Sequence, residues 1–274
     1  MIFTLRPHRL TRLLGLGFIL AVFPPASSLL HAQTPPPVLT FRLLSMSGSY
    51  GGISYAMDAT GKGKPQMVDL TQGLSRYYVR PPGPTLQFFR EFPVPPDSPP
   101  GTKPVRRPAL LAAIPAKTIR CIIVTFPPAD ERSEFLNNCV FADDSKEHRA
   151  GTLMLCNASS TPAVIAVNDS QFPVAVGGSQ IVPLPADKTD FMIRIALQKR
   201  AGWQEAYHGE LVCDPKLRGY LFIADFSHDP DSPRSHASVP VLVNAMFETP
   251  LPLPPPPKKK NHDQSGASDQ PSSP

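Results

Sequence analysis

The sequence predicts an all-β fold, and three observations lead to this prediction. First, 36 of the 274 residues are proline, against a usual share of about 5%, and a proline inside a helix costs about 3 kcal/mol. Second, short runs rich in Val, Ile, Phe and Thr alternate with Pro, Gly, Asn and Asp, as strands alternate with turns. Third, 41% of the residues are hydrophobic, which is enough for a packed core and excludes wholesale disorder.

The candidate strands fall into two sets. The first set comprises Val38–Leu44, Gly52–Met57, Gln66–Leu70, Ser75–Val79, Thr85–Glu91, Ala109–Ile114 and Thr118–Phe126. The second set comprises Asn138–Phe141, Gly151–Asn157, Ala163–Val167, Gln171–Val176, Ser179–Leu184, Asp190–Gln198, Trp203–Cys213, Gly219–Phe226 and Val239–Asn244. Many short strands at regular spacing are typical of immunoglobulin-like β-sandwiches, so we expect two such domains in tandem.

An internal repeat supports this division. Three pairs of segments align in the same order: Phe41–Ser47 with Leu153–Ser159, Gly73–Arg90 with Gly177–Arg194 without a gap, and Pro115–Phe126 with Pro215–Phe226. Preserved order with changing offsets is typical of a duplicated domain whose loops differ in length. We therefore expect a first β-sandwich at 38–126, a linker at 127–134 and a second β-sandwich at 135–249.

The first residues have the pattern of a secretory signal peptide. Arg6, Arg9 and Arg12 precede the apolar run Leu13–Phe23, which is shorter than the about 18 residues of a membrane-spanning helix. We expect a signal peptide at 1–32, with an uncleaved anchor as the alternative, and a short Pro-rich lead at 33–37. The protein would then be exported to the periplasm, the cell surface or the medium, with no transmembrane segment in the mature chain.

The charge of the chain gives no indication of a nucleic-acid partner. The formal net charge of +5 includes the three arginines of the predicted signal peptide, so the rest of the chain is close to neutral. A nucleic-acid-binding protein carries a concentrated basic surface, which this composition does not predict.

The C-terminal segment 250–274 is of low complexity. Consecutive prolines favour polyproline II, and the Lys258–Lys260 run and the Ser-rich end that follow cannot form a core. We expect a disordered tail, with a spacer or a ligand for a proline-binding partner as the alternative. We expect the segment Pro93–Pro108 to be an internal loop, because it is too polar and too rich in proline for a central strand.

Several segments resemble a group of uncharacterised secreted bacterial proteins with tandem β-sandwich-like domains. They are Asn138–Ser145, Ala150–Ser159, Trp203–Tyr207 and Arg218–Ala224. The resemblance covers residues 135–226 well and 39–126 loosely. It implies an exported protein of this architecture and carries no established activity.

The search for chemistry finds no nucleophile placed beside a base, so we expect a non-catalytic protein without a cofactor. Asp225, Asp229 and Asp231 could supply oxygen ligands to Ca²⁺, but an ordinary turn explains them better. Four cysteines permit two disulfides in an oxidising compartment, or buried thiols instead. They are Cys121, Cys139, Cys156 and Cys213.

These observations predict an exported, non-catalytic protein that is a protein-interaction or structural component of the bacterial envelope. Its partner would be an envelope or extracellular protein. The alternative is a carbohydrate-binding β-sandwich module that uses Trp203 and Tyr207. Four residues apart in one strand, these two rings would share a face, which suits a sugar platform or a core wall.

Overall fold

The computed structural model describes residues 38–56, 63–80, 83–92, 94, 96–99, 101–126, 133, 135–225 and 241–250. These residues form sixteen strands and no helix, which confirms the all-β prediction for this part of the chain. The predicted signal peptide at 1–32, the lead at 33–37, most of the segment 127–134 and the tail after Pro250 lie outside the described residues.

The strands lie close to the bounds predicted from the sequence. The first eight are β1 (Leu39–Ser45), β2 (Ile53–Ala56), β3 (Pro65–Met67), β4 (Tyr78–Arg80), β5 (Thr85–Phe92), β6 (Val105–Ala113), β7 (Arg120–Phe126) and β8 (Asn137–Ala142). The second eight are β9 (Thr152–Asn157), β10 (Ala163–Val167), β11 (Ser170–Val174), β12 (Ser179–Pro183), β13 (Asp190–Lys199), β14 (Gly202–Val212), β15 (Arg218–Asp225) and β16 (Val241–Glu248).

The strands form four sheets of four, and the second half of the chain repeats the strand order of the first. In the first half the orders are β4-β1-β7-β8 and β3-β2-β5-β6. In the second half they are β12-β9-β15-β16 and β11-β10-β13-β14. The central pair is parallel in both cases, β1 with β7 and β9 with β15. Each strand of the first half therefore has a counterpart eight strands later.

Burial shows where the gap-free alignment of the repeat fails. That alignment places Phe88, which is fully buried, over Met192, which is 42% exposed. The buried side chains of β13 include Phe191 and Ile193 instead. Side chains alternate along a strand, so an offset of one residue exchanges buried and exposed positions. The connection that leads into β5 and the connection that leads into β13 must therefore differ in length by one residue.

Each half has its own apolar core, built from both of its sheets. In the first half Phe41 of β1 contacts Tyr55 of β2 and Phe88 of β5, with ring centroids 5.0 and 5.8 Å apart. The second core includes Leu155, Ile165, Phe191, Ile193 and Leu221, again from both sheets. Burial of each such side chain stabilises the fold by about 1.5–3 kcal/mol.

A third apolar cluster joins the two halves. It contains Ile122, Val124 and Phe141 from the β4-β1-β7-β8 sheet, and Tyr220 and Phe222 from the β12-β9-β15-β16 sheet. We call these two the inner sheets, and the other two the first and second outer sheets. Burial on both faces explains why β7 reads as a continuous apolar run, RCIIVTF, rather than as an alternating one.

The sheet pairing moves the boundary between the halves. β8 pairs with β7 in the first inner sheet, with Ile122 opposite Phe141, although the sequence analysis grouped 135 onward with the second half. The segment 127–134 therefore connects two strands of one sheet. The changeover lies between Ala142 and Thr152. A proline-rich stretch is typical of both linkers and hairpin connections, so its composition does not distinguish them.

β6 extends into the segment that the sequence analysis assigned to a loop, because it begins at Val105. It lies at the edge of the first outer sheet, where a proline such as Pro108 removes no hydrogen bond to a further strand. The pairing of β5 with β6 also shifts register between Phe88 and Phe89, next to this proline.

Candidate functional site

Charged side chains gather between the two inner sheets, at the edge of the third apolar cluster. We call this group the ion network. Its members are Arg42, Tyr77, Arg120, Asp143, His148, Arg218, Tyr220 and Glu248. Arg42 comes from β1, Arg218 and Tyr220 from β15, and Glu248 from the end of β16. Asp143 and His148 lie in the connection between β8 and β9, where the two halves meet.

Arg218 is the centre of the network and is 1% exposed. Its Nε and Nη2 donate to Glu248 Oε1, at 3.0 and 2.5 Å. Its Nη2 also donates to Asp143 Oδ2 at 3.4 Å. Glu248 lies on the same sheet as Arg218, whereas Asp143 follows a strand of the first half. A buried guanidinium needs paired anions, and Arg218 takes one from each half of the chain.

Asp143 is the anion that receives the most contacts. Its carboxylate accepts from Tyr220 at 3.2 Å and pairs with Arg120 Nε at 3.2 Å and with Arg218. Burial by itself would raise the pKa of Asp143. The hydrogen bond from His148 and the charges of Arg218 and Arg120 outweigh burial and lower the pKa below its ordinary value of 3.8.

Glu248 is held in the same way. Burial opposes its charge, but the hydrogen bond and charge of Arg42, with the hydrogen bonds from Tyr220 and Arg218, lower its pKa below the ordinary 4.5. The Arg42 guanidinium also donates to the Ser75 carbonyl oxygen at 2.8 Å. Glu248 of the second half is thereby tied to β1 of the first half.

His148 bridges the halves through both ring nitrogens. Nδ1 lies 3.1 Å from Asp143 Oδ1, and Nε2 lies 2.9 Å from the Gly219 carbonyl oxygen. Both partners accept hydrogen bonds, so a ring that carries a proton on each nitrogen satisfies both contacts. The ring also packs edge-on against Tyr220, with centroids 4.5 Å apart.

The network contains an arginine–carboxylate pair twice. Arg120 opens β7 and pairs with Asp143, and Arg218 opens β15 and pairs with Glu248. Asp143 directly follows β8, and Glu248 ends β16, which are the neighbouring antiparallel strands. The sequence did not predict this role. Its one signal is an arginine within each of the aligned segments Pro115–Phe126 and Pro215–Phe226, and that alignment places Arg120 over Tyr220 rather than over Arg218.

A second feature is a groove on the exposed face of the second outer sheet, with a volume of about 320 Å³. It is lined by Val164, Ala166, Gln171, Arg194, Ile195, Ala196, Trp203 and Glu205. Trp203 is 52% exposed. The groove therefore offers an aromatic side chain to solvent beside three polar ones.

Tyr207 does not share this face with Trp203, contrary to the two-residue period used above. The pairing of β13 with β14 shifts register between Ile195 and Ala196, which is a β-bulge. Trp203 and Glu205 lie opposite Gln198 and Ala196, whereas Tyr207 lies opposite the buried Ile195. Tyr207 accordingly packs against the second core. The bulge turns one ring outward and the other inward.

Within the described residues, the remaining predicted site residues form no metal-binding group and no disulfide. Asp225 ends β15, and its side chain, Asp229 and Asp231 lie outside the described residues. Cys121, Cys156 and Cys213 are free thiols in three different apolar clusters. Burial raises the pKa of Cys121 to about 12. Cys139 lies on β8 and packs against the cluster between the inner sheets.

Comparison with known proteins gives no relative from which to transfer a role. No protein-family model matches the chain, and no curated protein matches it. Within the described residues, no helix has the length and apolar character needed to cross a membrane.

Proposed function

We propose that this chain is an exported, non-catalytic protein that serves as a protein-interaction or structural component of the bacterial envelope. The observation that carries the proposal is the ion network. Within it Arg42, Asp143, His148 and Arg218 are buried and Glu248 is half-buried. These groups take their partners from both halves of the same chain. Ion pairs and hydrogen bonds that link the two halves would hold them together as one stiff body. A structural or scaffold protein requires such stiffness.

In this proposal the body consists of two tandem immunoglobulin-like β-sandwiches that arose by duplication. The repeated strand order and the separate apolar core of each half support this. The signal peptide at 1–32 would deliver the protein across the inner membrane. The Pro-rich tail would extend from it as a disordered spacer.

The partner would contact the exposed faces and edges of the outer sheets. β14 is the longest edge strand of the described fold, and most of its side chains are exposed. Glu205 and Glu210 place charges along it. Charged edge strands resist unspecific pairing, so a partner that docks here must match them.

The experiment is affinity purification of the tagged, exported protein from its native host after mild crosslinking, followed by mass spectrometry. We expect a small, reproducible set of envelope proteins, and we expect Glu205→Lys/Glu210→Lys to lose them. Glu147→Lys, at an exposed position of the β8–β9 connection, is the matched control and should retain them. Recovery of the same proteins with all three versions would place the contact elsewhere. Recovery of no protein would contradict the proposed function.

A second candidate function, carbohydrate binding, is favoured by one observation. Trp203 is exposed in a groove with polar neighbours. Tyr207 no longer belongs to the platform, because it packs against the core.

A further inference from the structure

We propose that the groove on the second outer sheet binds an uncharged sugar ring, which stacks on Trp203 and bonds to Gln171, Arg194 and Glu205. This inference does not depend on a protein partner. It rests on the shape of the groove, the orientation of its side chains and the balance of its charges.

The shape fits a small ligand. The floor consists of small side chains, with Val164 and Ala166 from β10 and Ala196 from β13. Larger residues at these positions would fill the space that they leave open. The volume of about 320 Å³ is at the lower end of the range for small-molecule sites, about 300–1,000 Å³.

The β-bulge gives the groove its wall. Because β14 carries an extra residue at Ala206, Trp203 and Glu205 both face outward while Tyr207 turns to the core. Bulges beside binding sites commonly re-aim side chains in this way. An indole ring that is half exposed presents an apolar surface to solvent, and burial of that surface by a ligand stabilises the complex.

The polar lining matches hydroxyl groups. The guanidinium of Arg194 donates hydrogen bonds, the carboxylate of Glu205 accepts them, and the carboxamide of Gln171 does both. A sugar hydroxyl also donates and accepts, and the C–H face of a pyranose ring stacks on an indole.

The charges select an uncharged ligand. One cation, Arg194, and one anion, Glu205, line the groove, so their charges cancel and a strongly anionic polymer gains nothing. His208, opposite Arg194 on the same face, has Nδ1 3.8 Å from Glu205 Oε1. It lies near the acid at the rim of the groove.

The test uses the fact that Trp203 is the one tryptophan of the chain. Tryptophan emission therefore reports on this groove alone. The probes are the linear glucose hexamers with β-1,4 and α-1,4 linkages and the β-1,4 N-acetylglucosamine hexamer, each titrated to millimolar concentration. We expect at least one of them to give a saturable blue shift, with matching heat in calorimetry.

Variants then locate the binding. Trp203→Ala should abolish the calorimetric signal, and Arg194→Gln or Glu205→Gln should weaken it about tenfold, as loss of one charged hydrogen bond does. Gln204→Ala is the matched control, because Gln204 lies between two lining residues but opposite Leu197 of the core face. Its affinity should be unchanged, and unfolding temperatures show whether each variant is folded.

Three results would overturn the proposal. The first is that none of the three sugars gives a response, and the second is that binding survives Trp203→Ala. The third is that Gln204→Ala lowers the affinity as much as Glu205→Gln does. If Trp203→Ala instead removes crosslinked protein partners while no sugar binds, the groove is a protein contact. That outcome rejects the sugar and leaves the proposed function standing.

Discussion

Replacement of Arg218 by methionine tests the role of the ion network most severely. Arg218→Met keeps an unbranched apolar stem and removes the guanidinium charge at a position that is 1% exposed. It leaves the buried carboxylate of Asp143 and the half-buried carboxylate of Glu248 without a shared cation. Glu248 keeps Arg42 and Tyr220, and Asp143 keeps Arg120, His148 and Tyr220. The loss is therefore smaller than the sum of the contacts of Arg218.

We expect a loss of about 3–5 kcal/mol in the free energy of unfolding, as for other buried pairs that lose one partner. For a fold of this size that corresponds to a fall of about 6–20 °C in unfolding temperature. The assay is urea unfolding at neutral pH. Arg149→Met, an exposed arginine on the same connection as His148, is the control and should change stability by less than about 0.5 kcal/mol.

A double-mutant cycle separates the pair from its surroundings. Arg218→Met with Asp143→Asn, the pair that links the two halves, should be less destabilising than the sum of the two single changes, because the second removes a charge that lost one of its partners in the first. Additive effects, or a loss below about 1 kcal/mol for Arg218→Met, would refute the argument that the network joins the halves.

Three further predictions concern acid, thiols and packing. Asp143 and Glu248 have lowered pKa values in the folded chain, so their contribution to stability is complete above their ordinary values of 3.8 and 4.5 and is lost as pH falls through the lower folded values. Urea unfolding between pH 6 and pH 2, about the range in which carboxylates titrate, should show this loss, and Asp143→Asn/Glu248→Gln should flatten it. A loss equally steep in that variant would contradict the assignment. Cys121 and Cys156 should resist alkylation in the folded protein and react after denaturation, because burial raises the pKa of both thiols. Mass mapping under non-reducing conditions should find Cys213 unbridged as well, and a bridge to any of the three would show that the clusters are arranged differently. Gly219→Ala should destabilise by about 1–3 kcal/mol, because a Cβ there would lie 2.6 Å from the Phe247 ring and 2.8 Å from Leu153. An unchanged unfolding temperature would mean that the side chains of Phe247 and Leu153 move aside. Gly177→Ala is the comparison that shows backbone strain without a clash, because Gly177 has a positive φ and nothing lies within reach of an added Cβ.

The strands could be predicted from the sequence because local patterns specify them. Ala163–Val167 was predicted with the bounds that β10 has, since Pro162 and the Asn168–Asp169 turn delimit a β-branched run. The end of β16 was placed four residues early at Asn244. Residues 245–248 contain Ala and Met and have a weaker strand pattern in the sequence. Their pairing with β15 extends the strand to Glu248.

The ion network could not be predicted, because its contacts join residues that are far apart in the sequence. Arg42 and Glu248 are separated by 206 positions, and Asp143 and Arg218 by 75. Read alone, each is an ordinary charge within or beside a strand. Only the packing of the two inner sheets brings them together and removes them from water.

The prediction that Trp203 and Tyr207 share one face of their strand was wrong for a different reason. The two-residue period is correct for a regular strand, but one extra residue in β14 reverses the face of every side chain beyond it. No residue of the segment Trp203–Tyr207 specifies the bulge, since neither Gly nor Pro occurs within it. The register of the neighbouring strand determines it.

Hydrogen–deuterium exchange of the intact protein tests the central claim most directly, because that claim is that the two halves form one stiff body. We predict that β7 and β15, the central strands of the inner sheets, exchange through one common opening with equal protection. Arg218→Met should separate them, so that one half exchanges before the other. Independent exchange of the two halves in the unaltered protein would contradict the account.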